Sequence, residues 1–541
     1  MKQGPCPLFV ALSCSLSLTL GPGCKSAAPA SSGAGTRVDD GTVETTDSGR
    51  LPTSDSGRTT TADGNSADSA AHRATTDAAT SDASPSDAAA DGSALFLAGE
   101  ILGRPTGQSV TVSAVPAQTL EAYIEFGAPG GTYAHQTPVT TYPATQPMVV
   151  VLSGLVPDTA YAYRLRWRLP GDPSFEAGSQ RTFHTQRPPG STFRFTIQAD
   201  SHLDGNSDLD FYRVTLANVL ADAPDFHVDL GDTFMCEKFS TPLTNVVQPC
   251  PDEATVVNRY IYERANFGLM AHSVPLFLVN GNHDGELGYL LGDAGQDIPT
   301  WATLARHTYY LNPTPDSFYS GDSLVEPYVG ERAAWYSWQW GDALFVVLDP
   351  FWNTTVKSNT NSWVWTLGDR QYQWLSDTLS SSTATFKFVF LHNLVGGLQG
   401  QMRGGVEAAP YYEWGGDNED GGSGFTQQRP GWAKPIHQVL VDNNVTVVFH
   451  GHDHLYAKQE LDGIVYQEVP QPSAINTTSG PSLAQTYNYV SGTILSSTGH
   501  MRVTVTPAQV TADYVRSWLP ADESSQQQNG QVDDSWVVQA K

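Results

Sequence analysis

Val445-Thr446-Val447-Val448-Phe449-His450-Gly451-His452-Asp453-His454 is the stretch that decides the fold. A short run of β-branched and aromatic residues stops at a glycine, and two histidines follow at a spacing of two. The run reads as a buried strand. The spacing puts His452 and His454 on one side of an extended chain and directs Asp453 away. Four other segments repeat the scheme. FRFTIQA (193–199) leads into Asp200-Ser201-His202, and DFHVDL (225–230) into Gly231-Asp232. PLFLVN (275–280) leads into Gly281-Asn282-His283-Asp284, and FKFVFL (386–391) into His392. Strand ends in one sheet lie side by side, so groups far apart in sequence converge on one edge.

The residue types at those ends suit a pair of cations. Hard or borderline divalent ions take carboxylate oxygens and imidazole nitrogens. Two ions ~3.5–4 Å apart need one shared ligand and several private ones. Asp200 and His202 alternate along an extended end, so both reach one metal. Asp232 is the natural shared carboxylate, Asn282 offers an amide oxygen, and His392, His452 and His454 offer imidazoles. Gly231, Gly281 and Gly451 let the backbone leave each strand sharply. Each motif alone is weak, whereas five in order, each at a strand end, are specific.

The set resembles the calcineurin-like metallophosphoesterase superfamily, whose pattern is D-x-H, G-D, G-N-H-[DE], H and G-H-x-H, over about 192–518. That resemblance implies an α/β fold, a four-layer α/β/β/α sandwich. It implies that Asp200, His202 and His454 hold one metal, that Asn282, His392 and His452 hold the other, and that Asp232 bridges them. The cofactors would be two divalent or transition metal ions, with Fe, Zn and Mn all compatible. His283 would be a catalytic histidine outside the ligand set, oriented by Asp284. Phosphate esters would be hydrolysed by in-line attack of a metal-bridging hydroxide, with His283 assisting the leaving group. The β-rich region in front resembles the arrangement of purple acid phosphatases. Those enzymes carry a tyrosine where this chain has Met235 and lack a histidine equivalent to His202. These departures point to a phosphodiesterase or general phosphatase type of site. Arg403, Tyr411 and Trp414, in a Gly-rich insertion at 393–430, are candidate substrate-binding residues.

The rest of the chain divides by composition. Residues 1–24 read as a signal peptide ending in Gly21-Pro22-Gly23-Cys24, a lipoprotein-like box with Cys24 as the lipidation site. Residues 25–93 hold no aromatic residue and are rich in Ala, Ser, Thr and Asp, a disordered linker. Residues 94–190 alternate apolar and polar positions between turns, a small all-β sandwich resembling fibronectin type III. Leu155 to Tyr161 resembles its tyrosine corner. Residues 191–519 form the catalytic domain, with helices expected at 208–221, 255–272, 369–381 and 434–443. The stretch 285–334 reads as loops, HMRVTVTPAQVTADYV (500–515) as a closing hairpin, and 520–541 as a loosely ordered polar tail. His227, His272, His307, His437 and His500 read as ordinary structural histidines.

Cys236 and Cys250 lie 14 positions apart in the body. In an exported protein they can close a disulfide worth ~3 kcal/mol in the chain-entropy model. The formal net charge of −27 argues against binding nucleic-acid backbones. The expected partner is a small phosphate ester, with membrane contact through the lipid anchor alone. The expected location is extracytoplasmic, lipid-anchored at the bacterial outer membrane or otherwise secreted. A phosphodiesterase or a nucleotide or nucleotide-sugar hydrolase is the alternative function, and a non-catalytic surface binding protein a remote one.

Overall fold

Alternate residues of each strand join different layers, and this parity builds the catalytic region. In Phe386–Phe390, Phe386, Phe388 and Phe390 face one apolar layer, while Val389 and then Leu391 face another. Val447–His450 does the same, with Val447 and Phe449 on the inner side and Val448 on the outer. A strand apolar on both faces must be covered on both. The computed structural model describes residues 95–237, 249–292, 294–398 and 402–541. The signal segment, Cys24 and the linker to residue 93 lie outside the described residues.

The first catalytic sheet runs in the order Leu276–Leu278, Phe226–Asp229, Phe193–Gln198, Gly499–Val505, Gln509–Arg516, Val532–Gln539. Its first three strands are parallel and the others antiparallel. The second sheet centres on four parallel strands, Ala343–Val347, Phe386–Phe390, Val447–His450 and Ile464–Glu468. The sheets meet through stacked and edge-on rings. Phe195 lies 5.5 Å from Phe226, 5.2 Å from Phe345 and 5.4 Å from Phe388. Helices Leu209–Ala221, Glu253–Ala271 and Ile298–Tyr309 cover the outside of the first sheet. Gly368–Ser381 and Ile436–Asp442 cover the second. The result is the expected α/β/β/α sandwich.

The four expected helices form within a few residues of their forecast bounds. Asp208 and Asp252 cap two of them, each accepting from backbone N–H groups of the first turn. Two expectations fail. Helix Ile298–Tyr309 stands inside the stretch read as loops. Its start signal was present, since Asp297 accepts from Thr300 N–H and Pro299 stands in the first turn. The tail is not loose throughout, because Val532–Gln539 pairs with Gln509–Arg516 and closes the first sheet. Trp536 fixes it by burying its ring and donating Nε1–H to Gln467 Oε1 at 2.9 Å.

The N-terminal region is all-β. One sheet holds Phe96–Gly103, Ser109–Pro116 and Met148–Ser153, and the other is built on Leu120–Gly127 and Ala160–Arg168. Val112, Ile124, Leu152 and Leu165 are among the residues between them. The Tyr161 hydroxyl accepts from Val156 N–H at 3.0 Å, the contact its corner motif implies. This domain packs on the helical layer. Ala98, Ile101 and Val115 join the core beneath Glu253–Ala271, and the Tyr163 hydroxyl donates to the His272 carbonyl at 2.7 Å.

Candidate metal centre

All five motif strands run parallel within their sheets, so their carboxyl ends share one edge of the sandwich. Backbone bonds tie that edge together. Asp200 N–H donates to the Gly231 carbonyl at 2.9 Å, and Gly451 N–H to the His392 carbonyl at 2.8 Å. Two of the glycines serve close approach rather than a turn. A Cβ on Gly281 would lie 2.1 Å from Asp232 N, and one on Gly451 would lie 2.6 Å from Asp200 Oδ2. Five of the seven expected ligand residues, Asp200, His202, Asp232, His452 and His454, have positive φ. Such non-glycine conformations cost on the order of 1–3 kcal/mol each and persist only where surrounding contacts enforce them.

The side chains gather in two groups, Asp200 with His202 and His454, and Asp232 with His392 and His452. Within the first, Asp200 Oδ1 is 3.7 Å from His202 Nε2 and 3.5 Å from His454 Nε2. Within the second, His392 Nε2 is 3.2 Å from His452 Nδ1 and 3.1 Å from Asn282 Oδ1. Asp232 Oδ2 reaches both groups, at 3.2 Å from His392 Nε2 and 3.6 Å from His202 Nε2. That is the position of a bridging ligand. The residues brought together are the seven that the motifs singled out.

Outer contacts aim these rings. His392 Nδ1 faces the Leu230 carbonyl at 2.9 Å, which leaves Nε2 for a metal. Asp204, outside the five motifs, stands 3.6 Å from His202 Nδ1. Asp200 Oδ1 and His202 Nε2 are buried without a hydrogen-bond partner. Buried orphan acceptors cost free energy unless something fills the gap. A cation does, so the donor set fits a metal pair. Without it, charge compensation falls on the histidines. Burial pushes the Asp200 and Asp232 carboxyls up, but His392 and neighbouring rings hold both well below the ordinary range. Burial lowers the His392 imidazole, yet Asp232 and Asp200 carry it up to about 9.

His283 stands beside the pair without joining either group. Its Nε2 is 4.0 Å from Asp232 Oδ2. Its Nδ1 faces not Asp284 but Glu237 Oε2, at 3.0 Å. Asp284 is turned the other way and is buried. Its Oδ2 accepts from Asp232 N–H at 3.0 Å and Gly281 N–H at 2.7 Å, and its Oδ1 from Thr233 N–H at 2.8 Å and Phe234 N–H at 2.7 Å. A free side chain next to His283 in sequence is therefore a staple between two motif loops. Glu237 is the orienting acid. Its sequence signal was slight: it is the one carboxylate between Asp232 and Asp252. Burial raises the Glu237 carboxyl, but His283 outweighs this and keeps it below its ordinary value. Lys357 Nζ, 3.4 Å from Glu237 Oε1, completes the row.

The three substrate-binding candidates fare differently. Arg403 does reach the centre's edge. Its Nη1 donates to the His452 carbonyl and lies 3.1 Å from Asp453 Oδ1, so it braces the Gly-His-Asp-His turn. Trp414 is fully buried in the outer core and donates to the Tyr466 hydroxyl at 3.0 Å, out of a substrate's reach. Tyr411 packs half-buried against the same core. Insertions rich in aromatics bury them where apolar area is available, and here that is the sheet's outer face. Asp453 points away as expected, accepting from Gly404 N–H at 2.8 Å and the Tyr489 hydroxyl at 2.8 Å. Cys236 and Cys250 do meet, with Cys250 N–H donating to the Cys236 carbonyl at 2.9 Å. They stand as two buried free thiols rather than the expected disulfide. Burial pushes the Cys236 thiol up.

Comparison with known proteins agrees with this geometry. Residues 193–456 match the calcineurin-like phosphoesterase family model. The solved structure of PhoD superposes with a TM-score of 0.57 at 16% identity, over 82% of this chain and 90% of that one. The purple acid phosphatase PPD1 from yellow lupin (Lupinus luteus) seeds gives 0.52 at 16% identity, over 81% and 74%. No curated protein matches the sequence. Residues 193–456, which contain both ligand groups, are a calcineurin-like phosphoesterase domain, and the chain is a metallophosphoesterase hydrolase.

Proposed function

We propose that this protein is an exported, two-metal phosphoesterase acting on small soluble phosphate esters. The observation that carries the reading is the reach of Asp232 Oδ2 to both ligand groups, with His283 Nε2 beside it. Asp200, His202 and His454 would hold one ion, and Asn282, His392 and His452 the other. Bound there, a metal pair supplies Lewis acidity and a nucleophile at neutral pH. The chain's own groups do the rest. Asp284 holds the bridging residue's loop in place. Glu237 fixes His283 from behind, so Nε2 faces the reacting group and hands a proton to, or hydrogen-bonds, the leaving oxygen. Arg403 keeps His452 and His454 in register.

The test is steady-state hydrolysis with added Mn or Zn, comparing kcat/KM for nitrophenyl phosphate and bis-nitrophenyl phosphate against an Asn282→Ala background. A ratio well above one supports a phosphomonoesterase, and a ratio well below one a phosphodiesterase. Turnover no better than the background sinks both.

Export and lipidation at Cys24 rest on the leader's composition. Metabolic labelling with a fatty acid, lost in Cys24→Ser, checks them. In an oxidising compartment the adjacent Cys236 and Cys250 close into the disulfide. The intact protein is then two hydrogens lighter than its reduced form, and an unchanged mass refutes it.

A further inference from the structure

The segments that support the metal loops from behind continue into a second cavity. Ser473 Oγ donates to the Ser201 carbonyl at 2.7 Å, between two metal-loop residues, and Ser497 Oγ donates to the His454 carbonyl at 3.0 Å. Thr477 and Ser496, a few residues along the same two segments, line a wide-open surface cavity of about 630 Å³. Four residues of chain span at most ~14 Å, so this cavity is a near neighbour of the metal edge. Its volume is that of a small-molecule site.

The wall is mostly polar, with Pro481, Leu495 and Trp518 as its apolar part, and carries no net charge. Its two charged residues, Arg516 and Asp533, pair at 3.1 Å. Thr478, Gln526, Gln527 and Gln531 supply hydroxyl and amide groups. By contrast, the cleft between the β-sandwich and the helices is walled by Phe96, Leu165, Trp167, Leu220 and Leu269. Two donors in the polar wall are unsatisfied. Arg516 is 5% exposed and Trp518 6% exposed, and Arg516 Nε and Trp518 Nε1 are buried without a hydrogen-bond partner. The guanidinium lies 4.7 Å from the Trp518 ring centre, and its Nη1 and Nη2 donate to the Ser496 and Ser497 carbonyls, each at 3.1 Å. Arg516 therefore joins the cavity wall to the segment that holds His454.

We infer that this cavity binds a neutral carbohydrate. Amide and hydroxyl groups that both donate and accept match ligand hydroxyls, which do the same. An apolar ligand would strand the wall's polar groups, at a cost for each one buried. An ion would find no net countercharge. The site is separate from the phosphoesterase centre, and its ligand binding does not depend on that reading.

The experiment titrates the full chain with maltotriose, cellotriose and N-acetylchitotriose, read by saturation-transfer NMR and tryptophan fluorescence. At least one sugar is expected to bind. The exposed pair Gln526→Ala/Gln527→Ala is expected to weaken it about tenfold, the worth of two neutral hydrogen bonds. Nitrophenyl phosphate turnover and the melting temperature should stay as in the unmodified chain. No binding of the three sugars to the folded protein, or binding that the double variant leaves unchanged, overturns the inference.

Discussion

Two neighbouring residues, His283 and Asp284, divide tasks that sequence proximity suggests they share. His283 is tied to Glu237 and faces the metal edge, while Asp284 binds four backbone N–H groups beneath it. Their variants should therefore fail differently. His283→Ala should cut turnover by ~10²–10⁴ and keep the full metal content. Loss of metal in that variant would make His283 a ligand. Asp284→Asn leaves one strong acceptor for four donors. Two lost charged hydrogen bonds cost roughly 3–6 kcal/mol. Metal content, melting temperature and turnover should fall together, and a variant with full metal content would contradict the staple. Glu237→Gln removes the charge behind His283 but no metal contact. A loss in kcat smaller than that of His283→Ala, with KM and metal content retained, is the expected result. A change in KM alone would move Glu237 from positioning to binding.

At the scale of elements, parallel strands and their parity do most of the positioning. The strand Phe226–Asp229 ends three residues before Asp232, and its His227 is wholly buried against Thr196 Oγ1 at 2.8 Å. Burial, with His500 adding to it, lowers the His227 imidazole from 6.5 to about 3. The folded strand holds it neutral, whereas the unfolded chain protonates it below about 6.5. The stability this contributes is complete above that pH and is lost as the pH falls toward 3. Between pH 6.5 and 4 the loss amounts to about 3 kcal/mol. His227→Asn should flatten the melting-temperature profile over that interval. An unchanged slope would mean that His227 does not carry it. Four helices were legible from their apolar periodicity, although only Leu209–Ala221 and Glu253–Ala271 among them carry a side-chain cap. Ile298–Tyr309 was hidden by its Gly-, Pro- and Tyr-rich surroundings, although Asp297 and Pro299 mark its start.

For the whole molecule, the last strand bears on the first sheet more than its polar composition suggests. Trp536 is the buried apolar group by which Val532–Gln539 joins the shared core, with Val538 packing beside it, and its indole also bonds Gln467 in the second sheet. Trp536→Ala should cost ~3–5 kcal/mol, visible as an earlier denaturant midpoint. A cost below ~1 kcal/mol would show that this strand is dispensable to the sandwich.

What the sequence determined by itself is the metal edge. Ligands at strand ends need only the strand pattern, a turn residue and the right donor, and all three are local. Asp200, His202, Asp232, Asn282, His392, His452 and His454 converge because parallel strands deliver their carboxyl ends to one side. The four layers follow from strands apolar on both faces. Tertiary structure alone decided the neighbours of those ligands. Glu237 rather than Asp284 meets His283 because the loop after Asp232 folds back over the Gly281 turn. Trp414 joins the core and Arg403 braces a turn because each side chain goes where area or a partner awaits it. Those contacts join residues 46 to 52 positions apart, and no spacing in the chain encodes them.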